Sequence, residues 1–140
     1  MPSNPLFIDT GYVYAITNPN DQWHDKAIQW QSKVVSDNLS LITTQFVLTE
    51  IADGLSPVKF RRSALQVIHT LQDNSLVEVV PASADLFRAG LELYEGRPDK
   101  DWGLTDCISF IVMTRHNLTD ALTTDDHFRQ AGFRPLLLET

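Results

Sequence analysis

Apolar and polar positions along the chain fall into short blocks whose periods differ. Leu6-Phe7-Ile8 is an unbroken apolar triplet and predicts a buried strand, after which Asp9-Thr10-Gly11 opens a helical stretch through Ala15. Asn18-Pro19-Asn20-Asp21 is a turn cluster. Trp23, Ala27, Trp30 and Val34 then recur at the spacing of one face of an amphipathic helix. Ser40 to Thr43 reads as a second strand, Thr44 as the N-cap of a helix through Ile51 that ends near Gly54, and Pro57 as the start of a loop into a helix from Lys59 to Asp73. Leu76 to Val80, rich in Val and bounded by Asn74-Ser75 and Pro81, is the third strand signal.

Ser83 is placed to cap a helix reaching Tyr94, the polar loop Glu95 to Asp101 follows, and Leu104 to His116 carries an apolar helical stripe. Asp120 to Thr123 and Pro135 to Leu138 read as the last two strands, separated by a short helix that Gly132 ends. Strands alternating with helices predict an α/β, three-layer fold: a central, mostly parallel sheet of about five strands flanked by helices. With no internal repeat, low-complexity tract or linker, residues 1–140 are expected to form one unit.

Composition adds limits. The longest apolar run, near Cys107 to Met113, is interrupted by Ser109 and falls far short of the roughly 20 residues of a membrane span. Met1 to Pro5 lacks the basic and long apolar parts of a secretory signal, and the single Cys107 cannot form an internal disulfide, so a reducing cytoplasm is expected. The net charge of −7, from 18 acids against 11 Lys and Arg, argues at first against a nucleic-acid partner. Acids that serve as metal ligands weaken that objection, because each divalent ion returns two positive charges where a phosphate would sit. An acidic surface also suits a basic protein partner.

Four acids stand where a solvated carboxylate is not expected. Asp9 and Asp125 follow strand signals, and ligands of open α/β sheets bind outside the carboxyl ends of strands; a helix N-cap is the plainer role for either. Glu50 shares a helix face with Phe46 and Val47, and Asp106 shares one with Phe110 and Met113. A carboxylate turned inward needs a partner or a metal; Arg61, Arg62 and Arg115 are the candidate ion-pair partners, and a place at the rim of the apolar face is the other plain reading. If the four converge at one edge of the sheet, their hard oxygens suit Mg²⁺ or Mn²⁺ and would repel one another without it. Asp101 is a fifth candidate, otherwise a solvated loop charge or cap. No phosphate-cradling Gly-rich loop, cysteine pair or nucleophile elbow is present, and His24, His69, His116 and His127 lack zinc-ligand spacing. His24, at a helix start beside Trp23, reads as structural.

The order and spacing of several short motifs carry a resemblance. They are Phe7-Ile8-Asp9-Thr10; Asn20-Asp21 with His24 and Ala27; Leu48-Thr49-Glu50-Ile51; Asp101-Trp102-Gly103-Leu104-Thr105-Asp106-Cys107; and Leu122-Thr123-Thr124-Asp125-Asp126-His127-Phe128 followed by Ala131-Gly132-Phe133. Over nearly its full length the chain resembles the PIN-domain family and, within it, the VapC-like toxins of prokaryotic toxin–antitoxin pairs. The resemblance implies a PIN-like nuclease fold that hydrolyses RNA with Mg²⁺ or Mn²⁺. It places the catalytic, metal-binding acids at Asp9, Glu50, Asp106 and Asp125, with Asp101 a less uniform addition and Thr123 a supporting hydroxyl. It further implies a VapB-like antitoxin that masks the site, and a homodimer is expected. Asp126 falls at a variable position and is assigned no role. Gly103 departs from the Ser that relatives often carry there, which leaves a helix cap in question. Lys59, Arg61 and Arg62 are candidate contacts for RNA phosphates, against the plainer reading of a solvated basic helix start.

Two other readings compete. A phosphoacceptor receiver domain also holds Mg²⁺ with acids at strand ends, but it wants paired acids after the first strand and a late Lys; here Asp9 stands alone and no Lys follows Lys100. A PIN-like fold that only binds a partner would not need all four acids.

Overall fold

The computed structural model describes residues 4–140, so the signal-free reading of Met1 to Pro5 lies largely outside the described residues. Thirteen elements follow one another: β1 (Leu6–Ile8), α1 (Thr10–Thr17), α2 (His24–Ser36), β2 (Leu41–Thr44), α3 (Gln45–Gly54), α4 (Val58–Asp73), β3 (Val77–Val80), α5 (Ala84–Gly96), α6 (Leu104–Arg115), β4 (Asp120–Leu122), α7 (His127–Gln130), β5 (Arg134–Pro135) and a 3₁₀ turn (Leu136–Leu138). All four strand pairings are parallel, in the order β3-β2-β1-β4-β5. A wholly parallel sheet has both faces covered by its crossover helices, and β1 and β2 are correspondingly buried at every position.

The expected caps form. Thr44 Oγ1 accepts the Val47 N–H at 3.1 Å, and Ser83 Oγ accepts that of Leu86 at 3.1 Å, each satisfying a donor that the first helical turn leaves free. One expectation fails. The apolar run Pro135 to Leu138 is not the last strand; pairing stops at Pro135, and Leu136 to Leu138 turn as a 3₁₀ segment that buries Leu136 and Leu137. A short apolar run without periodicity fixes burial but not backbone form, and Pro135 lacks the N–H to extend a ladder.

Close backbone approaches set the helix positions. A Cβ on Gly90 would lie 2.3 Å from Ile108 Cγ1, so α5 and α6 pack at a distance only glycine permits. Gly54 makes the same allowance for the Tyr14 ring, whose hydroxyl donates to the Glu50 carbonyl at 3.0 Å and ties α1 to α3. Behind α7 an aromatic cluster runs from Phe7 to Phe128 (ring centroids 6.3 Å apart), to Phe110 (4.9 Å) and to Trp102 (5.1 Å). No helix among the described residues is long and apolar enough to cross a membrane.

Candidate metal-binding nuclease site

Parallel pairing sends β1, β2 and β4 out of the sheet at the same edge, and the acids collect there. Asp9 directly follows β1, Glu50 lies on the helix leaving β2, Asp125 follows β4, and Asp106 comes from the first turn of α6. These four, with Thr10, Gly11, Tyr14, Thr124 and Asp126, line an open cleft of about 370 Å³. Asp126 thus borders the cleft, although its sequence position gave it no role; its carboxylate pairs with Arg129.

Asp9 occupies the N-cap position of α1 but makes no side-chain cap. Its Oδ2 instead accepts a 2.7 Å hydrogen bond from Thr123 Oγ1, whose oxygen in turn accepts the Asp125 backbone N–H at 3.0 Å. The fully buried Thr123 hydroxyl therefore joins the two strand-end acids. Glu50 accepts a short hydrogen bond from Thr10 Oγ1. The arginines offered as ion-pair partners are elsewhere: Arg61 donates to the Ser56 carbonyl, Arg115 pairs with Asp85, and among the described residues Arg62 has no carboxylate partner. The inward-facing acids are thus not structural salt bridges to arginine.

Asp106 Oδ2 accepts the Gly103 N–H at 3.3 Å, so the cap left in question by Gly103 is half made, by the carboxylate three residues on. The same oxygen lies 3.1 Å from His127 Nδ1, and Asp125 Oδ1 lies 3.2 Å from it. Asp106, Asp125 and His127 form a group whose donor atoms all fall within 4.8 Å of one another. Sequence reasoning missed His127, because no helical or zinc-type spacing links it to Asp106; the contact is made by tertiary packing. His24 is structural as expected, its Nδ1 lying 2.7 Å from the Ala15 carbonyl. Asp101 sits exposed in the loop before Trp102 and does not line the cleft with the other four, although its charge acts on His127 beside them.

The electrostatics are those of a crowded anionic site. Burial, reinforced by the charges of Asp106 and Glu50, pushes the Asp9 carboxyl up to about 7, even though the Thr123 hydroxyl and the Thr10 N–H pull the other way. Burial also raises Asp106, with Asp125 adding to it and His127 opposing. Burial of the His127 ring disfavours its charged form, but the hydrogen bond to Asp106 and the charges of Asp125, Asp106 and Asp101 outweigh this and raise its pKa. Several carboxylates forced together at this energetic disadvantage are a donor set that fits a hard divalent cation, which takes oxygen ligands and removes the repulsion.

The PIN-domain family profile matches residues 6–134. The chain belongs to the PIN-domain family. This PIN domain is 27% identical over 129 residues to the 23S rRNA-specific endonuclease VapC20, curated from two strains of Mycobacterium tuberculosis, CDC 1551 / Oshkosh and H37Rv; the match spans 91% of this chain and 95% of the relative. The crystal structure of M. tuberculosis VapC20, described as a sarcin-ricin loop cleaving toxin, superposes with a TM-score of 0.80 at 24% identity, covering 93% of this chain and 97% of that one. FitAcB from Neisseria gonorrhoeae shares the fold at a TM-score of 0.65 and 14% identity, with 93% and 97% coverage. Family membership removes the receiver-domain reading of this PIN domain.

Proposed function

We propose that the chain is a metal-dependent endoribonuclease, the toxin of a toxin–antitoxin pair, and that its whole length works as one nuclease domain. The convergence of Asp9, Glu50, Asp106 and Asp125 from four separate segments on one cleft carries the reading. Their oxygens would hold the cation, Mg²⁺ or Mn²⁺; Asp101, exposed and outside the cleft, is assigned at most an outer place. When bound, such a cation polarises a phosphodiester and lowers the pKa of an attacking water. Thr123 orients Asp9 through Oδ2 and fixes the Asp125 backbone, while Thr10 holds Glu50, so the carboxylates are set before substrate arrives.

RNA is the substrate on this reading, in keeping with the relatives named endonucleases of 23S rRNA. Of the Lys and Arg residues, Arg97, Arg115, Arg129 and Arg134 are ion-paired. Lys59, Arg61 and Arg62, exposed at the start of α4, are free of carboxylate partners among the described residues and are the candidate phosphate contacts. The acidic cleft and net charge of −7 suit an antitoxin of the VapB type that presents a basic side chain to the carboxylates. A homodimer working in the cytoplasm completes the proposal.

Purified protein is expected to cleave single-stranded or looped RNA with Mg²⁺ or Mn²⁺ and to lose that activity in EDTA. Asp9→Ala and Asp106→Ala should abolish cleavage while circular dichroism stays that of the wild type, and Asp37→Ala, at the exposed end of α2, should cleave normally. Undiminished cleavage in EDTA would end the metal mechanism.

A further inference from the structure

His127 is not one of the four acids, yet its geometry engages two of them. Its backbone N–H donates to Asp125 Oδ1 at 2.8 Å, and its ring Nδ1 lies 3.2 Å from that same oxygen and 3.1 Å from Asp106 Oδ2. Carboxylate oxygens accept, so the ring nitrogen carries the proton and donates it to Asp106 Oδ2, while the backbone N–H holds Asp125 Oδ1. The neighbouring residue fixes the ring in place: Phe128 is fully buried against Phe7 and Phe110, and Asp125 closes the turn that starts α7.

Asp106 and Asp125 come from different elements, α6 and the turn after β4, and their charges oppose each other. Among the described residues, His127 is the only one hydrogen-bonded to both carboxylates. Thr123 links Asp9 to the Asp125 backbone, and Thr10 serves Glu50; neither reaches Asp106. We infer that His127 is a positioning residue of the metal site: its Nδ1–H holds the Asp106 carboxylate beside the Asp125 carboxylate that its own backbone N–H holds, bracing the two at the spacing the cation requires, without itself ligating the ion. The inference rests on the metal reading above. Partners that orient the carboxylates of a site typically change metal affinity by about 10–100-fold when removed.

Three substitutions separate the roles of the ring. His127→Asn keeps an N–H donor near the Nδ1 position, His127→Gln moves the donor out toward Nε2, and His127→Ala removes it; the backbone bond to Asp125 survives in all three. Mn²⁺ binding is measured by titration calorimetry on each folded variant, together with pulsed electron paramagnetic resonance of the bound ion. The expected outcome is a loss of about 10–100-fold in affinity for His127→Ala and His127→Gln, with His127→Asn near the wild type and no directly bound ¹⁴N in the wild-type spectrum. Should His127→Ala fail to fold, the contrast between Asn and Gln carries the test. Equal affinity in all variants overturns the bracing role. A strong ¹⁴N coupling that disappears in His127→Ala overturns it differently, by making the ring a ligand. A wild type that binds no Mn²⁺ defeats the metal reading itself, and the inference with it.

Discussion

At the scale of single residues, the site is a compromise between burial and charge, and Asp9 shows it most clearly. Its folded pKa of about 7 lies above the unfolded value of 3.8, so the metal-free folded state holds the proton more tightly. The stability this contributes is fully present below about pH 4 and is lost as pH rises to about 7. Asp9→Asn cannot lose that proton, so in EDTA at pH 8 it should be more stable than the wild type, by up to about 4 kcal/mol, and near equal to it at pH 4. Urea denaturation at the two pH values checks this, and on the proposed metal reading saturating Mn²⁺ should reverse the order at pH 8, because Asn offers the ion no carboxylate. Thr123 makes a second case. Thr123→Val would leave Asp9 Oδ2 and the Asp125 N–H without their buried partner, at a cost of about 1–3 kcal/mol, and Thr123→Ser should recover most of it in the same denaturation experiment. The acids themselves were legible in the sequence, because a carboxylate on an apolar helix face or just past a buried strand conflicts with its surroundings. Their partners were not. Thr10, Tyr14 and His127 meet them across 40, 36 and 21 residues of chain, and spacing carries no information about such contacts.

At the scale of elements, period and capping residues showed where strands and helices lie, because short apolar runs mark β1 to β4, and Thr44 and Ser83 cap the helices that follow them. Leu136 to Leu138 escaped this reading: three buried leucines satisfy a strand and a 3₁₀ turn equally, and only the neighbours in space decide. Helix–helix distance was equally hidden. Gly90 and Gly96 both lie in α5 and look alike in sequence, but a Cβ at Gly90 would press on Ile108 whereas one at Gly96 would meet nothing within 4 Å. Gly90→Ala should therefore destabilise the protein by about 1–3 kcal/mol as α5 and α6 are forced apart. Gly96→Ala, at the open end of the helix, should stay within about 1 kcal/mol of the wild type. Equal midpoints for the two in chemical denaturation would show that the α5–α6 contact is looser than described.

For the whole molecule, charge distribution matters more than net charge. An enzyme of charge −7 that acts on a polyanion must concentrate its free cations, and the start of α4 is where Lys59, Arg61 and Arg62 stand together. Replacing all three by Ala should raise KM for RNA several-fold, leave kcat nearly unchanged and flatten the dependence of binding on salt, since each lost phosphate contact lowers that slope. Expression of the intact chain without a masking partner should arrest growth, and Asp9→Asn should be tolerated; harmless accumulation of folded wild-type protein would count against a toxin. Sheet order adds a consequence for synthesis. β1 leaves the ribosome before the other strands, yet one of its two neighbours in the sheet is β4, and the Thr123 hydroxyl and Asp125 carboxylate that complete the cleft arrive only with the residues just after β4. A nascent chain that has displayed Asp9, Glu50 and Asp106 is still unarmed, and the cleft is completed only when β4 pairs with β1.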